Sequence, residues 1–358
     1  ASWVDWDRDA DLDLMVISDF AGIDLYENLG KGKFRDVTDQ LGKSRHSFGM
    51  SHAVADFDGD GALDIYMVGM GSTTARRLAG LGLGEKGFEH LEAAPDMGYG
   101  NRLFLGDGKG RFRQAPYNDR LARTGWSWGC SPWDFDNDGD RDLYVANGML
   151  SARSAQDYCT TFWRHDIRDG GSTETLLMQE VYNRCMKGLG KEVSWNGYEH
   201  NALLLNEGEG MYLNVGYLLG VGFEFDSRSV VATDLDADGL TDLMVVQMDQ
   251  LTDRHRTGRA EHYLHLVRNQ MPETGNWLVV QFLPAQNPVG TVVTLKSKGQ
   301  TQVMPLVTGD SYNAQHPARI HFGLGQADSG AEVLIEQHGR EPVRWNNPAI
   351  NQVHLVKP

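Results

Sequence analysis

The feature that limits this chain most is a short acidic pattern that occurs four times. Its clearest copy is DFDNDGDRDL, Asp134 to Leu143. With Asp134 as position 1, Asp136, Asp138 and Asp142 take positions 3, 5 and 9, and Gly139 takes position 6. Carboxylates this close repel one another unless a counter-charge lies among them. Calcium would supply it: the ion takes about six to eight oxygens in a flexible shell, and glycine at position 6 permits the sharp turn that gathers them. The expected ligands are the four carboxylates, the backbone carbonyl of position 7 (Asp140) and water. A solvated acidic turn would explain one such copy, but not four.

Asp56, Asp58, Asp60 and Asp64 repeat the pattern around Gly61, with Ala62 at position 7. Asp234, Asp236, Asp238 and Asp242 repeat it around Gly239, with Leu240 at position 7. Asp5, Asp7, Asp9 and Asp13 repeat it with Ala10 in the glycine place and Asp11 at position 7. Alanine lacks glycine's easy access to left-handed backbone, so the first site is expected to be weaker. The expectation is three to four calcium ions per chain. These are not EF-hands, which need a glutamate at position 12 between two helices. Here position 12 is Val16, Met67, Val145 or Val245. Each loop runs into a short apolar segment (LDLMVIS, LDIYMVG, RDLYVAN, TDLMVVQ) that reads as a buried strand.

The charge balance agrees with metal. Net charge is −16, and positions 1, 3, 5 and 9 of the four loops hold sixteen aspartates. That acidity excludes a broad basic surface for nucleic acid. The absence of any run of eighteen apolar residues excludes a membrane-spanning helix. The chain begins at Ala1, almost inside an acidic loop, so a strand like the one that precedes each of the other three is not expected there. The sequence reading therefore expects a propeller that is incomplete at its N-terminus.

The four loops start 51, 78 and 100 residues apart. Between them a second motif recurs: NLGKGKFRDV from Asn28, LGDGKGRFRQ from Leu105 and LNEGEGMYLN from Leu205. Each is a strand, a glycine-rich hairpin turn and a strand carrying an aromatic or apolar residue. One repeat thus reads strand, acidic loop, strand, strand, glycine turn, strand, which is the make-up of a β-propeller blade. Insertions interrupt the rhythm at 69–100 and 149–200, and both contain helical spacing. After residue 271 the acidic loops stop. The strands in GNWLVVQFL, the hairpin around KSKGQ and the later apolar runs predict a small β-sandwich over 272–358. The expected fold is all-β, with blades over 1–271 followed by that sandwich.

Taken together, GWSWG with DFDNDGDRDLYVANG, and then GNWLVVQF, NPVGTVVTL, VTGDSYNAQ, HFGLG and VRW in order, resemble FG-GAP/VCBS-repeat propeller proteins with a C-terminal ASPIC/UnbV-type domain. Cartilage acidic protein is the vertebrate relative of that family. The resemblance implies secretion or a periplasmic location, calcium in the DxDxDGxxD loops, and no established catalysis. It also implies a seven-bladed propeller, of which four blades are visible here.

Other chemistry is less well supported. Tyr158, His165, Asp166 and His200 could serve a polysaccharide-acting enzyme through the 149–200 insertion, but nothing in the sequence fixes their geometry. Trp126, Trp128, Trp133, Trp163 and Trp195 could line a sugar site, although three of them lie on apolar strands and read as core. Cys130 reads as a buried free thiol, and Cys159 and Cys185 could form a disulfide. The reading favoured here is a non-catalytic adhesion, assembly or binding module for protein or glycan partners outside the cytoplasm.

Overall fold

The apolar runs that leave the acidic loops form strands, buried throughout at 64–69 and 142–147 and only in part at 13–18 and 242–248. In the computed structural model, which describes residues 1–81, 94–154, 160, 163, 175–249, 261–272, 274–283 and 286–357, these strands are the second of each sheet. The first sheet is β1 (Ser2–Val4), β2 (Asp13–Ser18), β3 (Gly22–Asn28) and β4 (Phe34–Asp36). The second is β5 (Gly49–Ala55), β6 (Asp64–Gly69), β7 (Arg102–Gly106) and β8 (Phe112–Gln114). The third is β9 (Ser127–Trp133), β10 (Asp142–Asn147), β11 (Ala202–Asn206) and β12 (Tyr212–Asn214). The fourth is β13 (Ser227–Thr233), β14 (Asp242–Asp249) and β15 (Glu261–Val267). All are antiparallel meanders in sequence order, so each sheet is one blade.

Side-chain alternation explains the stacking. Val54, Ile65, Met67 and Phe104 of the second blade pack against Val4, Met15, Ile23 and Leu25 of the first. Their sequence neighbours Ala53, Ala55, Tyr66, Val68, Leu103 and Leu105 point the other way, onto Cys130, Leu143, Val145, Ala202 and Leu204 of the third. Trp133, Phe135, Tyr144 and Leu203 then meet Val230, Leu243 and Val245 of the fourth. Cys130 is a buried free thiol within this stack, and burial pushes its ionisation up. Cys159 lies outside the described residues, and with it the pairing expected with Cys185.

The two insertions leave the blades at the end away from the acidic loops. Helix α1 (Thr73–Gly80) opens on Ser72, whose hydroxyl accepts the Ala75 N–H. Helix α2 (Leu176–Met186) lies in the longer insertion.

The C-terminal part has two sheets. One has the order β19 (Arg319–Gly325), β16 (Asn276–Gln281), β22 (Gln352–Leu355). The other has the order β18 (Gln300–Pro305), β17 (Val292–Ser297), β20 (Glu332–Glu336), β21 (Val343–Asn346). Leu278, Val280, Ile320 and Phe322 of the first meet Val293, Leu295, Val333 and Ile335 of the second, a sandwich core.

This sandwich docks closely on the blades. The Val303 carbonyl accepts the Asp56 N–H, and the Gly323 N–H donates 3.0 Å to Asp134. The segment from Val307 to His316, which joins β18 to β19, crosses the first strand of every blade. The Ser2 hydroxyl donates to the Thr308 carbonyl, and the Ser311 N–H donates to the His52 carbonyl. Ser131 meets His316, and the Ser229 hydroxyl donates to the Tyr312 carbonyl. The docking gives a direct test. A Cβ at Gly323 would lie 2.3 Å from Asp134 Oδ2 and 2.5 Å from the Asn137 carbonyl carbon. Gly323→Ala is expected to destabilise the chain by about 1–3 kcal/mol. The reading is a denaturant midpoint, and a wild-type midpoint would show that sandwich and blades do not depend on this approach.

Candidate metal centres

Each acidic loop joins the first and second strands of its blade, and local hydrogen bonds shape all four in the same way. Positions 4 and 6 both adopt left-handed backbone: Arg8 and Ala10, Gly59 and Gly61, Asn137 and Gly139, Ala237 and Gly239. Ala10 therefore follows the glycine path, at φ 75°. Together Arg8 and Ala10 place two side-chain-bearing residues in a costly conformation in the first loop. The position-5 carboxylates of Asp9, Asp60, Asp138 and Asp238 each accept the N–H of position 7, at 2.8–3.0 Å.

The aspartate at position 9 has a second role that the sequence did not reveal. Asp13, Asp64, Asp142 and Asp242 each accept the N–H of position 2 through Oδ2. Through Oδ1 each accepts the N–H of Asn28, Gly106, Asn206 or Asn269, at the end of the third strand or just beyond it. This carboxylate pins the loop and the third strand together. The repeated asparagine or glycine after the third strand, which opens the glycine-rich turn in the first three blades, was the signal that could have exposed the link.

Ligand atoms converge within 4.8 Å in four groups: Asp5, Asp7 and Asp13; Asp56, Asp58 and Asp64; Asp134, Asp136 and Asp138; Asp234, Asp236 and Asp242. All donors are carboxylate oxygens, the set that suits a hard cation. In three loops the position-1 aspartate keeps Oδ1 buried and without a hydrogen bond, namely Asp56, Asp134 and Asp234. A buried carboxylate oxygen left unpaired is costly, and a cation within the cluster would satisfy it. Asp5 differs at Oδ1, which accepts the Asp9 N–H at 3.1 Å; its Oδ2 accepts the Ala10 N–H, as Oδ2 of Asp56 and Asp234 accepts that of Gly61 and Gly239. The fourth loop differs in another way. Arg268 lies over it, with Nε 2.5 Å from Asp236 and Nη2 3.0 Å from Asp238.

Burial and neighbouring carboxylates raise several of these acids. Burial first, then repulsion within the loop, lifts Asp56 to about 7, and burial lifts Asp64 to about 8. Asp134 rises to about 7 and Asp140 to about 8, while burial carries Asp142 well above its ordinary range. The first loop follows, with Asp5 at about 6 and Asp13 at about 8.

Among the described residues, no comparable site forms around the other candidates. Tyr158, His165 and Asp166 lie outside the described residues. His200 sits 3.0 Å from Glu224 and 2.9 Å from the Gly222 carbonyl oxygen. Of the tryptophans, Trp133 is core and donates to the Thr241 carbonyl, and Trp163 donates to Ser72. Trp126, Trp128 and Trp195 instead line a pocket. The sequence also missed a buried line of Ser131, His316 and Asp310. Ser131 Oγ is 2.8 Å from His316 Nε2, and His316 Nδ1 is 2.7 Å from Asp310 Oδ2. Ser131 is wholly buried on β9, so this line serves to fasten the crossing segment to the blade.

The sequence profile of FG-GAP-like repeats matches residues 5–67 and 93–145, and that of ASPIC and UnbV matches residues 284–358. The chain belongs to the FG-GAP-like repeat proteins that carry an ASPIC/UnbV domain. No curated protein matches it. Among solved structures it is similar to the exotype rhamnogalacturonan lyase YesX, at 14% identity and a TM-score of 0.24. That alignment covers 90% of this chain and 48% of the lyase chain, so the chain spans about half the lyase's length. A likeness so distant carries nothing about activity. No helix among the described residues is long and apolar enough to cross a membrane.

The raised acids of the FG-GAP-like loops set the sign of a pH effect. Their values in the metal-free fold exceed the ordinary 3.8, so the fold binds protons that the unfolded chain has released. The metal-free stability is therefore highest at the acid end and falls as pH rises from about 4 through 7 to 8. Thermal scans in chelator at pH 5, 6, 7 and 8 are expected to show a falling Tm, and added divalent cation a gap that widens with pH. A gap that is constant across this range would contradict the carboxylate assignment.

Proposed function

We propose that this FG-GAP-like chain is an extracytoplasmic calcium-binding module, in which calcium stiffens the blades for adhesion, assembly or binding to a protein or glycan partner. The observation that carries the proposal is the unpaired, buried Oδ1 of Asp56, Asp134 and Asp234 inside clusters made only of carboxylate oxygen. Each shell consists of the position-1, 3, 5 and 9 aspartates with the backbone carbonyl of Asp11, Ala62, Asp140 or Leu240. Asp56–Asp64 and Asp134–Asp142 form the two strongest sites. The first is weakened by the hydrogen bond that Asp5 Oδ1 already accepts from the Asp9 N–H, and the fourth by Arg268. Millimolar calcium outside cells matches modest-affinity sites of this kind. The division into blades over 1–271 and sandwich over 272–358 belongs to the same proposal, the sandwich bracing the blades.

A ligand that binds only the folded state stabilises it by about 2.7 kcal/mol at a hundredfold excess over Kd. Chelation is therefore expected to lower Tm strongly. Asp138→Ala is expected to cost more of the calcium-dependent Tm than Asp9→Ala. Elemental analysis after dialysis against calcium should find three to four ions per chain. Zinc alone, no metal, or equal melting of all variants with and without chelator would sink the proposal. Affinity capture from the native source, in calcium and in chelator, tests the binding role; capture indifferent to calcium would separate the metal from the partner.

Arg268 provides a finer check. Arg268→Gln frees Asp236 and Asp238, and is expected to raise calcium affinity at the fourth loop by about two- to fivefold, the range of an exposed ion pair. Calorimetric titration reads it, and an unchanged isotherm would mean that Arg268 does not compete with the metal.

A further inference from the structure

A pocket of about 500 Å³ opens where the strands end farthest from the acidic loops. It is lined by Trp126, Trp128, Trp195 and Tyr312, by Phe20 and Phe48, by Met50, Met70 and Met149, and by Asp19. The position follows from strand pairing. Gly49 pairs with Gly69 at the end of the β5–β6 hairpin opposite its loop, and Met70 bridges Trp126 there. Tyr312 arrives from the crossing segment. The pocket is thus built from three blades, the longer insertion and the sandwich, and none of its residues is an acidic-loop residue.

Its walls are ordered. Trp126 and Trp128 stack at 6.4 Å, and Trp195 stands edge-on to Trp126 at 5.1 Å. Tyr312 stands edge-on to Trp128 at 5.0 Å. Phe20 packs edge-on to Phe48 and is 71% exposed at the rim. The Trp128 indole N–H is used, donating 2.9 Å to the Gly148 carbonyl. The buried Trp126 indole N–H has no hydrogen-bond partner among the described residues.

The charge in the pocket is one-sided. Among the described residues, Asp19 is the one ionisable carboxylate of the lining, and no lysine, arginine or histidine lines the pocket. No ion pair to Asp19 forms among the described residues. Arg228 lies behind the wall, 4.2 Å from the Trp128 ring centre, and Asp226 offsets its charge. We propose that this pocket binds a small organic cation with an apolar body, such as an alkyl-substituted ammonium group, held against the Trp126, Trp128 and Trp195 rings with Asp19 as counter-charge.

The chemistry discriminates among occupants. Aromatic faces attract cations through their quadrupole, tryptophan best of all, and thioethers and phenyl rings accept alkyl substituents. A volume of this size suits a small molecule. A pyranose fits poorly, because its several hydroxyls would meet one carboxylate, one phenol and one indole N–H, and those left unpaired would be costly. An anion would meet Asp19 with no cation to answer it. The site lies at the other end of the blades from the metal clusters, so its test is independent of the calcium proposal.

The test uses the full chain with calcium present and follows tryptophan fluorescence and calorimetry. The probes are benzyltrimethylammonium and choline, with 3,3-dimethylbutan-1-ol as choline's neutral isostere and methyl glucoside as the sugar. Saturable binding of one ammonium probe per chain is expected, with choline preferred over its neutral isostere by about tenfold. Asp19→Asn is expected to lose about five- to tenfold for the cations and nothing for the neutral alcohol. Phe20→Ala, at an exposed rim position that spares the fold, is expected to weaken every apolar probe. Equal affinity for the alcohol, tighter binding of the glucoside, or no saturable binding of either ammonium probe would overturn the proposal.

Discussion

Every blade depends on one buried aspartate at the first residue of its second strand. Asp13, Asp64 and Asp142 are almost fully buried there, as is Asp242. A carboxylate taken out of water costs roughly several kcal/mol unless it is hydrogen-bonded and its charge is met. Two backbone N–H groups answer part of that demand, one from the loop and one from the end of the neighbouring third strand or just beyond it. They also fix the loop entry and the third strand to the same side chain. The remaining charge faces the other carboxylates of the loop, where the cation proposed above would answer all of them together. The cluster and the blade geometry are consequences of the same side chain, so a substitution there acts on both.

The blades pair strands only within themselves, and side-chain packing between flat faces gives them little to fix their relative rotation. The crossing segment supplies that constraint. It touches Ser2, His52, Ser131 and Ser229, one residue on each first strand. Its charges are matched within a few ångströms. Burial pushes His52 down to about 4, so it is neutral at ordinary pH and hydrogen-bonds Ser2 at 2.8 Å. His316 is opposed by burial but held above its ordinary value by Asp310, 2.7 Å away. Arg141, buried beside the third loop, bonds Gln302 of the sandwich and lies over Phe322. The sandwich therefore reads as a brace across the blades and not as an appended unit.

Much of this was legible because the repeats state it several times. The period, the acidic positions and the glycine turns located the strands of the first three blades except β1 (Ser2–Val4), which was not expected so close to Ala1 and pairs with β2; Gly30, Gly108 and Gly208 take the left-handed backbone that the hairpin turns need. What could not be read were relations between distant residues. Nothing local in VTGDSYNAQ shows that Asp310 and Ser311 lie across four strands from the other part of the chain. Nothing near Arg268 marks it as the counter-charge to Asp236. The tryptophans were ambiguous for a related reason: Trp126 and Trp128 sit at a strand's end, where one residue's shift separates core from pocket. Position 4 of the loops escaped notice because Arg8, Gly59, Asn137 and Ala237 share a backbone angle but no chemistry.

The same hydrogen bonds explain how the blades carry such unequal insertions. The position-9 aspartate reaches 15 residues ahead in the first blade, to Asn28, and 42 in the second, to Gly106. In the third it reaches 64, to Asn206, and in the fourth 27, to Asn269. The third strand returns to the same oxygen in each case. Closing a longer loop costs little, because the entropy grows only with the logarithm of its length; the two doublings from the first blade to the third cost roughly 1.2 kcal/mol. A buried carboxylate that must receive its second N–H outweighs that penalty. The added residues emerge at the far end of the hairpins, where Met70, Met149 and Trp195 help to line the aromatic pocket. One end of each blade is thus held by charge, and this leaves the other end free to vary in length and to acquire a binding surface without disturbing the clusters.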